Sequence, residues 1–349
     1  MRVVALVPAH NEEATIEATI ESLLTQIRPP DRVIVVCDNC TDRTQEVALA
    51  CGAETYVTVD NHHMKAGGLN QALKLVIPTL APIDMVICMD ADSIVGENFI
   101  SEAIKKFAES EKLGGVSGTY IGKQGGGLVG WCQRNEFARW GFDNGKEHGH
   151  TVILSGACSA FRVEGLEKVR RARERGELGG SDYYDVNTIT EDFELSIALV
   201  TVGCTIVNLM NVLITTSVKP TWRELFTQRL RWDRGINETL FDYGITPVTR
   251  IVWFRRVMYA FFVPVSFMCL FLIGYRIATE HSLAMNGFWL TITLLMMSGK
   301  ALTIVKLRGW YNAALAGLIV PELLYDTVLQ VIFVRSICDQ AAGTSKRWR

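Results

Sequence analysis

The stretch "DMVICMDADS", residues 84–93, runs from a short apolar segment directly into two aspartates, Asp90 and Asp92. An apolar run of this length that ends in polar residues is typical of a buried strand in a parallel sheet. Residues i and i+2 of an extended chain point to the same face, so both carboxylates would project together. Such a pair suits a hard divalent cation, Mg²⁺ or Mn²⁺. Aspartates also favour turns, so the stretch alone leaves both interpretations open.

Similar strand-like runs alternate with helical patterns through the first 220 residues. We predict strands and helices in turn at RVVALVPA (2–9), EEATIEATIESLLTQ (12–26), DRVIVVCD (31–38), DRTQEVALACG (42–52), ETYVTVD (54–60) and GGLNQALKLVI (67–77). Repeated βαβ units predict an α/β fold, a mostly parallel sheet with flanking helices. Ligands of such sheets bind at the carboxyl ends of the strands. We therefore expect Asp38, Asp90 and the segment 10–12 to converge on one edge.

The composition changes after about residue 250. Hydrophobic residues make up 49% of the 349-residue chain, and the mean hydropathy is +0.19. Three apolar segments, 257–275, 285–305 and 311–334, have about the 20 residues or more that a bilayer span needs. The third is interrupted by Glu322 and Asp326, so we predict two to three transmembrane helices. The predicted order is an α/β domain (1–220), an amphipathic interfacial segment (221–250), a membrane domain (251–338) and a basic tail (339–349).

Basic residues predict the orientation in the membrane. Arg255 and Arg256 precede the first segment, and Lys306 and Arg308 lie between the second and third. Lysine and arginine concentrate on the cytoplasmic side, so the large domain is expected in the cytoplasm. Three spans would then put the tail "TSKRWR" outside, against its charge. A third segment that spans, re-enters or lies in the interface remains open.

Charge and cysteine content exclude other classes of protein. The formal net charge of -2 implies no general affinity for nucleic acid. The nine cysteines form no even framework, and the CxxC pair Cys37 and Cys40 lacks a second pair for zinc. Reduced, buried thiols of a cytosolic domain are expected. The N-terminus "MRVVALVPAHNEE" is interpreted as a strand and not as a signal peptide.

Three further stretches carry polar residues in suggestive positions. In "TITEDFELSIALV" (188–200), Thr190 is expected to cap a helix whose first turn is acidic, and Asp192 also suits a general base. In "HMKAGGLNQAL" (63–73), two glycines after Lys65 are expected to open a helix that binds an anion, or to form only a turn.

The stretch "FTQRLRWDRG" (226–235) places Gln228, Arg231 and Trp232 at i, i+3 and i+4, on one face of a helix. A guanidinium pairs well with a diphosphate, and an indole offers a flat surface to a sugar ring. An amphipathic helix lying on the membrane explains the same residues.

Six motifs in order resemble the membrane-integrated family 2 glycosyltransferases with a GT-A fold, the cellulose, chitin and hyaluronan synthases. They are "PAHNE" (8–12), "DNCTDRT" (38–44), "KAGGLN" (65–70), "DAD" (90–92), "TED" (190–192) and "QRLRW" (228–232). The resemblance covers about residues 1–240. It implies a nucleotide-sugar donor, with a UDP-sugar favoured over a GDP-sugar, and a glycan or lipid acceptor at the bilayer.

The resemblance also implies residue roles. The nucleotide pocket would be lined by Ala9, Glu12 and Asp38, the diphosphate approached by Lys65, and the divalent cation held by Asp90 and Asp92. Asp192 would deprotonate the acceptor hydroxyl. The acceptor and the diphosphate would be held by Glu191, Gln228, Arg231 and Trp232, together with Gly156 and Cys158 from the loop "SGACSAFR" (155–162).

These roles describe a metal-dependent inverting hexosyltransferase. An inverting transfer needs one base and a cation at the leaving diphosphate, and no carboxylate nucleophile. The QxxRW motif favours a processive polysaccharide or oligosaccharide product. The alternative is single addition to a polyprenyl phosphate or glycolipid. A nucleotidyltransferase would need a basic triphosphate loop where "PAHNEEATIE" is acidic, and a non-enzymatic binder would not need the three acids.

Overall fold

The computed structural model describes residues 1–146, 151, 153–280, 287–317 and 319–343. The chain forms two compact units. The first contains Met1–Gly125 and Asp143–Val218, and the second contains Gly126–Phe142 and the described chain from Lys219 to Gly343. The basic tail from residue 344 lies outside the described residues, so its predicted side of the membrane stays a prediction.

An eight-stranded sheet with the order β3-β2-β1-β4-β7-β6-β8-β5 forms the centre of the first unit. Its strands are β1 (Val3–Ala9), β2 (Arg32–Cys37), β3 (Glu54–Val57), β4 (Met85–Met89), β5 (Ile94–Val95), β6 (Leu113–Gly122), β7 (Cys158–Arg162) and β8 (Thr205–Thr216). The predicted α/β class is confirmed. Pairs among β1–β4 are parallel, as is β6 with β8, whereas β7 and β5 pair antiparallel with their neighbours. The sheet is therefore mixed.

Helices cover both faces of this sheet and form the second unit. They are α1 (Ile16–Leu24), α2 (Thr44–Ala50), α3 (Met64–Val76), α4 (Phe99–Glu109), α5 (Gly127–Lys146), α6 (Val163–Glu174), α7 (Glu191–Thr201), α8 (Trp222–Tyr243), α9 (Arg250–Glu280), α10 (Gly287–Ala316) and α11 (Ile319–Ala341). Alternate residues of β1 enter different cores. Val3 and Val7 pack with α1, α2 and α4, while Val4 and Leu6 pack with α3, α6 and α7. Two buried faces explain why β1 is apolar throughout.

The nine cysteines are free, as predicted, but they are not all buried. Cys269 and Cys338 are exposed, because they lie on outward faces of α9 and α11. Burial, followed by the neighbouring Cys40, raises the pKa of the Cys37 thiol to about 12. A redox-active thiol needs a lowered pKa, and the Cys37 thiol does not have one.

One helix in the described part of the second unit is by itself long and apolar enough to cross a membrane. It is Arg250–Arg276, within which an 18-residue stretch has a mean hydropathy of 2.2 and is only 6% buried within the protein. The helices Leu294–Ala316 and Val320–Ala341 pass the same test only as a pair, bent by 102° into a broken span or re-entrant loop. Gly309 adopts a non-helical conformation and kinks α10. The predicted two to three spans remain a prediction.

Candidate functional site

Asp90 and Asp92 lie in a turn that follows β4. Asp90 N–H donates to the Ala157 carbonyl at 3.0 Å, and Ser93 N–H closes the turn on the Asp90 carbonyl at 3.2 Å. Lys123 Nζ holds the Asp92 carbonyl oxygen at 2.8 Å. The chain turns immediately after Met89, so the prediction that Asp90 and Asp92 lie in an extended segment was wrong. Both carboxylates are still half-exposed at the carboxyl edge of the sheet.

Lys65 forms the cationic centre of a carboxylate cluster. Its Nζ lies 2.7 Å from Asp90 Oδ1 and 3.2 Å from Glu191 Oε1, and donates to the Gly156 carbonyl at 3.4 Å. Burial lowers the pKa of Lys65, but Asp90 and then Glu191 outweigh it and leave the pKa above its ordinary value. For Asp90 burial dominates instead, and its pKa is raised despite the lysine. The helix start "MKAGG" thus brings an ammonium to the aspartates.

The two glycines after Lys65 do not open the helix. Helix α3 begins at Met64, and Gly67 N–H already donates within it to the His63 carbonyl at 3.1 Å. A Cβ on Gly67 would lie 2.0 Å from Asn61 Oδ1, a distance that no side chain permits. The expectations of a glycine helix start or a glycine turn were both wrong. Gly67 instead makes room for Asn61.

Asp38, predicted to line the nucleotide pocket, is 8% exposed. Its Oδ1 accepts from Thr58 Oγ1 and from Asn61 Nδ2, both at 2.7 Å. Its N–H donates to the carbonyl of the buried Ala9 at 2.8 Å, and His10 Nδ1 lies 2.7 Å from its carbonyl oxygen. The predicted convergence of the β1 and β2 ends is observed. Thr58 and Asn61 were missed, since neither belongs to a quoted motif.

Glu12 belongs to the same edge. Its N–H donates to Thr44 Oγ1 at 2.8 Å, and its Oε2 accepts from Thr15 Oγ1 at 2.7 Å. The loops after β1 and β2 each contain an asparagine in the left-handed region, Asn11 with φ 57° and Asn39 with φ 51°. Asparagine tolerates this conformation better than most residues. Asparagines in "PAHNE" and "DNCTDRT" therefore shape the loops.

Asp192 lies in the first turn of α7. Its Oδ2 accepts from Gly156 N–H at 3.0 Å, and its Oδ1 accepts from Phe193 N–H at 2.9 Å. Burial, and next the charge of Glu191, raise the pKa of Asp192 to about 6, against the opposing effect of Lys65. A carboxylate with this pKa is ionised at neutral pH and basic enough to take a proton.

Thr190 occupies the N-cap position of α7 but does not cap it. Its side chain makes no capping hydrogen bond, and its buried Oγ1 has no partner among the described residues. The predicted capping role was wrong. The acidic first turn of α7 is turned to the Lys65 cluster instead, because Glu191 and Asp192 both interact with that ammonium.

Gly156 and Cys158 have different surroundings. An added Cβ on Gly156 would lie 2.8 Å from Asp192 Oδ2, so the glycine allows the carboxylate to approach the backbone. Cys158 is completely buried in β7 opposite Met89, and burial raises its pKa well above the usual value. The small cavity beside the cluster is lined by Gly156 and not by Cys158.

Tyr184 was not identified from the sequence. It is 4% exposed and lines the same small cavity, together with Lys65, Glu191 and Asp192. The side chain of Asn70 makes two hydrogen bonds to the backbone of Tyr184. Asn70 Nδ2 donates to the Tyr184 carbonyl at 2.9 Å, and Tyr184 N–H donates to Asn70 Oδ1 at 2.8 Å. The asparagine of "KAGGLN" thus anchors a loop 114 residues away. The motif identifies the asparagine but contains no signal for its partner.

Gln228, Arg231 and Trp232 lie on α8 in the second unit, in the helical conformation predicted for them. All three side chains are half-buried. The helix is capped by Thr221, whose hydroxyl accepts from Glu224 N–H at 3.3 Å. The guanidinium of Arg229 covers one face of the Trp232 ring, 4.1 Å from its centroid. One ring face of the indole proposed for a sugar is therefore occupied within the protein.

The residues around Asp90 include carboxylates of the type that ligate a divalent cation. Within the described residues, the carboxylates of Asp90, Glu191 and Asp192 are gathered around Lys65, and Asp92 is next to them in sequence. They outnumber this ammonium, so a cation would offset the remaining negative charge. In the described chain, no three of these carboxylates or other metal-ligating side chains lie so that they could hold a metal ion together. Mg²⁺ commonly takes only one or two carboxylates and completes its shell with water and substrate phosphates.

Comparison with known proteins agrees with this architecture. The family model described as Glycosyltransferase like family 2 matches residues 2–235. The poly-beta-1,6-N-acetyl-D-glucosamine synthase of Staphylococcus epidermidis is 26% identical over 252 residues, 70% of this chain and 57% of that protein. The synthase of the same name from Staphylococcus aureus strain COL is 27% identical over 249 residues, with the same coverage. The chain thus spans little more than half the length of these curated relatives.

A solved structure shares the fold. The mannosyltransferase PcManGT from Pyrobaculum calidifontis, in complex with GDP-Man and Mn²⁺, aligns with a TM-score of 0.61. The alignment covers 99% of this chain and 88% of the mannosyltransferase, at 16% sequence identity. At this identity the likeness establishes the fold, including the predicted GT-A architecture.

Proposed function

The chain belongs to glycosyltransferase family 2, and we propose that it is a metal-dependent inverting enzyme that transfers a sugar from a UDP-sugar to a glycan at a membrane. The donor-binding residues would be Ala9, Glu12, Asp38 and Lys65, with Asp90 and Asp92 as cation ligands. Asp192 is the catalytic base. The residues on the acceptor side are Glu191, Gly156, Gln228, Arg231 and Trp232.

The observation that carries this proposal is the position of Asp192. Its carboxylate is oriented by two backbone N–H groups, of Gly156 and Phe193, and lies in the field of Lys65. A base held in this way keeps its geometry through the reaction, and its pKa of about 6 suits proton abstraction near neutral pH. A purely structural helix start would not need an ammonium and three carboxylates at one place.

The reaction is a single displacement. The acceptor hydroxyl gives its proton to Asp192, and its oxygen forms a bond to the anomeric carbon as the bond from that carbon to the UDP oxygen breaks. The leaving diphosphate gains negative charge, which the ammonium of Lys65 offsets from the donor side. No covalent sugar–enzyme bond forms, so the anomeric configuration inverts.

A divalent cation bound to Asp90 and Asp92 would supply Lewis-acid stabilisation of the leaving diphosphate. The half-exposed carboxylates allow it, and Lys123 holds the Asp92 backbone in place for it. Lys65 already neutralises part of the charge on Asp90. Water and the donor phosphates would complete the cation's ligands.

The staphylococcal relatives make UDP-GlcNAc the first donor to test and a β-linked polymer the first product to look for. The α9 span, with Arg255 and Arg256 in its first turns, supports an integral membrane protein whose catalytic unit faces the cytoplasm. The resemblance in QxxRW favours a processive product over a single transfer to a polyprenyl phosphate or glycolipid.

Transfer of radiolabelled sugar by membranes that contain the full chain tests the proposal. UDP-GlcNAc, UDP-glucose, UDP-GlcA and GDP-mannose are offered with Mn²⁺ or Mg²⁺, and products are sized on gels and extracted with organic solvent. Asp192→Asn is the inactive control. Asp31→Asn, at the opposite edge of the sheet, is the matched active control, because Asp31 contacts Val3 and Arg28 far from the cluster.

The expected result is a water-soluble ladder from one UDP-sugar that disappears in Asp192→Asn and persists in Asp31→Asn. A single labelled species extracted into organic solvent would overturn the processive product and leave a single-addition glycosyltransferase. No transfer from any donor, with both proteins folded, would overturn the proposed activity.

A further inference from the structure

Glu136 is a buried carboxylate that the proposed reaction does not use. It lies on α5 in the second unit, and its side chain is 10% exposed. One oxygen, Oε2, accepts from both Arg229 Nη2 and Tyr325 OH, each at 2.7 Å. Three helices distant in sequence, α5, α8 and α11, are thus joined at a single atom. Burying a carboxylate costs free energy unless it is paired. Glu136 therefore constrains where the Arg229 and Tyr325 side chains can lie.

Arg229, the residue after Gln228, connects this carboxylate to the QxxRW motif. Its guanidinium lies 4.1 Å from the centroid of Trp232 and 5.2 Å from that of Trp140. Its side chain is 5% exposed, and among the described residues its Nε and Nη1 have no hydrogen-bond partner. Its Nη2 donates to Glu136 Oε2, and this hydrogen bond orients the guanidinium. A planar cation stacked on an indole fixes the ring's tilt as well as its position.

Tyr325 extends the connection to the C-terminal helix. It is completely buried, and its ring lies 6.3 Å from that of Trp222, the first residue of α8. Val129, Cys132 and Leu225 complete an apolar cluster around it. The hydroxyl of Tyr325 lies inside this cluster and needs an acceptor, which Glu136 supplies.

We propose that Glu136 is a positioning residue for Trp232: it orients Arg229, and Arg229 holds one face of the indole so that the other face is presented to the acceptor. This inference rests on the proposed function of the QxxRW motif. It assigns a role to the arginine inside the motif and to a glutamate 93 residues before it, both of which would act through Trp232.

A double-mutant cycle on the full chain tests this role. Transfer rates are measured for wild type, Glu136→Gln, Trp232→Phe and the double variant. If Glu136 acts through Trp232, each single variant loses roughly tenfold in kcat and the double variant also loses roughly tenfold, because the second change has nothing left to disturb. If the two changes acted independently, their losses would multiply and the double variant would lose roughly a hundredfold in kcat.

Glu322→Gln is the matched control. Glu322 is a second buried glutamate between α5 and α11, and it accepts from Asn135 Nδ2 at 3.1 Å and Arg139 Nη1 at 3.0 Å. It has no described contact with α8. Glu322→Gln should therefore lower the midpoint of thermal unfolding about as much as Glu136→Gln, yet combine multiplicatively with Trp232→Phe.

A readout without activity separates failure of this inference from failure of the proposed function. The chain is labelled with 5-fluorotryptophan, and the ¹⁹F signal of Trp232 is assigned by its loss in Trp232→Phe. The signal should shift in Glu136→Gln and stay in place in Glu322→Gln. An unmoved signal in Glu136→Gln, or a multiplicative cycle, overturns the positioning role, whether or not the expected donor is used.

Discussion

The two compact units use ion-paired carboxylates in opposite ways. In the first, Asp90 and Glu191 share one ammonium, Lys65, at 2.7 and 3.2 Å. In the second, Glu136 is matched with a guanidinium of its own, Arg229, at 2.7 Å. One lysine cannot neutralise both carboxylates, so a net negative charge remains. Burial raises the pKa of Asp90 although Lys65 is adjacent. The pair of Glu136 and Arg229 has no net charge.

This difference separates a reactive arrangement from a supporting one. Gathering like charges costs free energy, so a cluster such as that around Lys65 persists where a ligand or a proton is to be bound. Charges balanced by well-placed donors instead hold helices in register, and breaking them costs stability. We therefore expect changes in the first cluster to affect rate, and changes in the second to affect stability or orientation.

The largest effect is expected from Asp192→Asn. The amide keeps the shape of the side chain but cannot take the acceptor proton, so kcat should fall about 10²–10⁴-fold. Initial transfer rates at saturating donor measure this loss. UDP binding, measured by calorimetry, should be retained. Activity within twofold of wild type would show that the cluster around Lys65 is not the reactive one.

Gly156→Ala should reduce the rate less. The new Cβ would lie 2.8 Å from Asp192 Oδ2 and displace the carboxylate, and small displacements of a base cost about 10²-fold. Gly179→Ala is the control, because its Cβ would make an ordinary contact of 3.7 Å with Asp185. Equal rates for the two variants would show that the close approach of Gly156 to Asp192 does not matter.

The pH dependence of kcat should show an acid limb near the raised pKa of Asp192. The base works as the carboxylate, so the rate should fall about tenfold per pH unit as the pH drops below about 6. The folded state holds this proton more tightly than the unfolded state, whose value is near 3.8. Protonation of Asp192 at a pH between these two pKa values therefore raises the free energy of unfolding. The fall in kcat at acid pH thus cannot be caused by unfolding that protonation of Asp192 drives. If kcat did not change between pH 5 and pH 7, the assignment of Asp192 as the base would be contradicted.

Glu322→Gln should have the smallest effect on rate and a clear effect on stability. Weakening its buried hydrogen bonds to Arg139 and Asn135 should cost about 1–3 kcal/mol of unfolding free energy. Thermal unfolding of the purified protein in detergent measures this, beside transfer at saturating substrates. A large loss of kcat at unchanged stability would break the distinction between the two units.

Local sequence patterns predicted the strands β1, β2, β3 and β4 well. The apolar runs at 2–9, 31–38, 54–60 and 84–90 each form one of these strands, because a strand buried on both faces has a visible composition. The same runs predicted that the loops with Asp38 and Asp90 lie at one sheet edge. The antiparallel pairing of β7 with β4 depends on contacts across about 70 residues, and no local pattern carries it.

The errors at the site have the same origin. Gly67 was expected to open a helix because a glycine pair commonly punctuates a chain, but its role is set by Asn61, which approaches from outside the helix. Thr190 has the right residue type and position for a cap, yet α7 directs its acids to Lys65. Motifs identify residues, whereas their partners, such as Tyr184 for Asn70, follow only from the fold.

The most direct test of the central claim is the metal dependence of transfer. Initial rates with the active nucleotide sugar are measured before and after EDTA, and then during titration with Mn²⁺, for wild type and Asp92→Asn. The charge excess around Asp90 predicts that EDTA abolishes transfer, that Mn²⁺ restores it, and that Asp92→Asn needs about tenfold or more Mn²⁺ for half-restoration. Transfer that resists EDTA, or equal Mn²⁺ requirements in both proteins, would contradict the account.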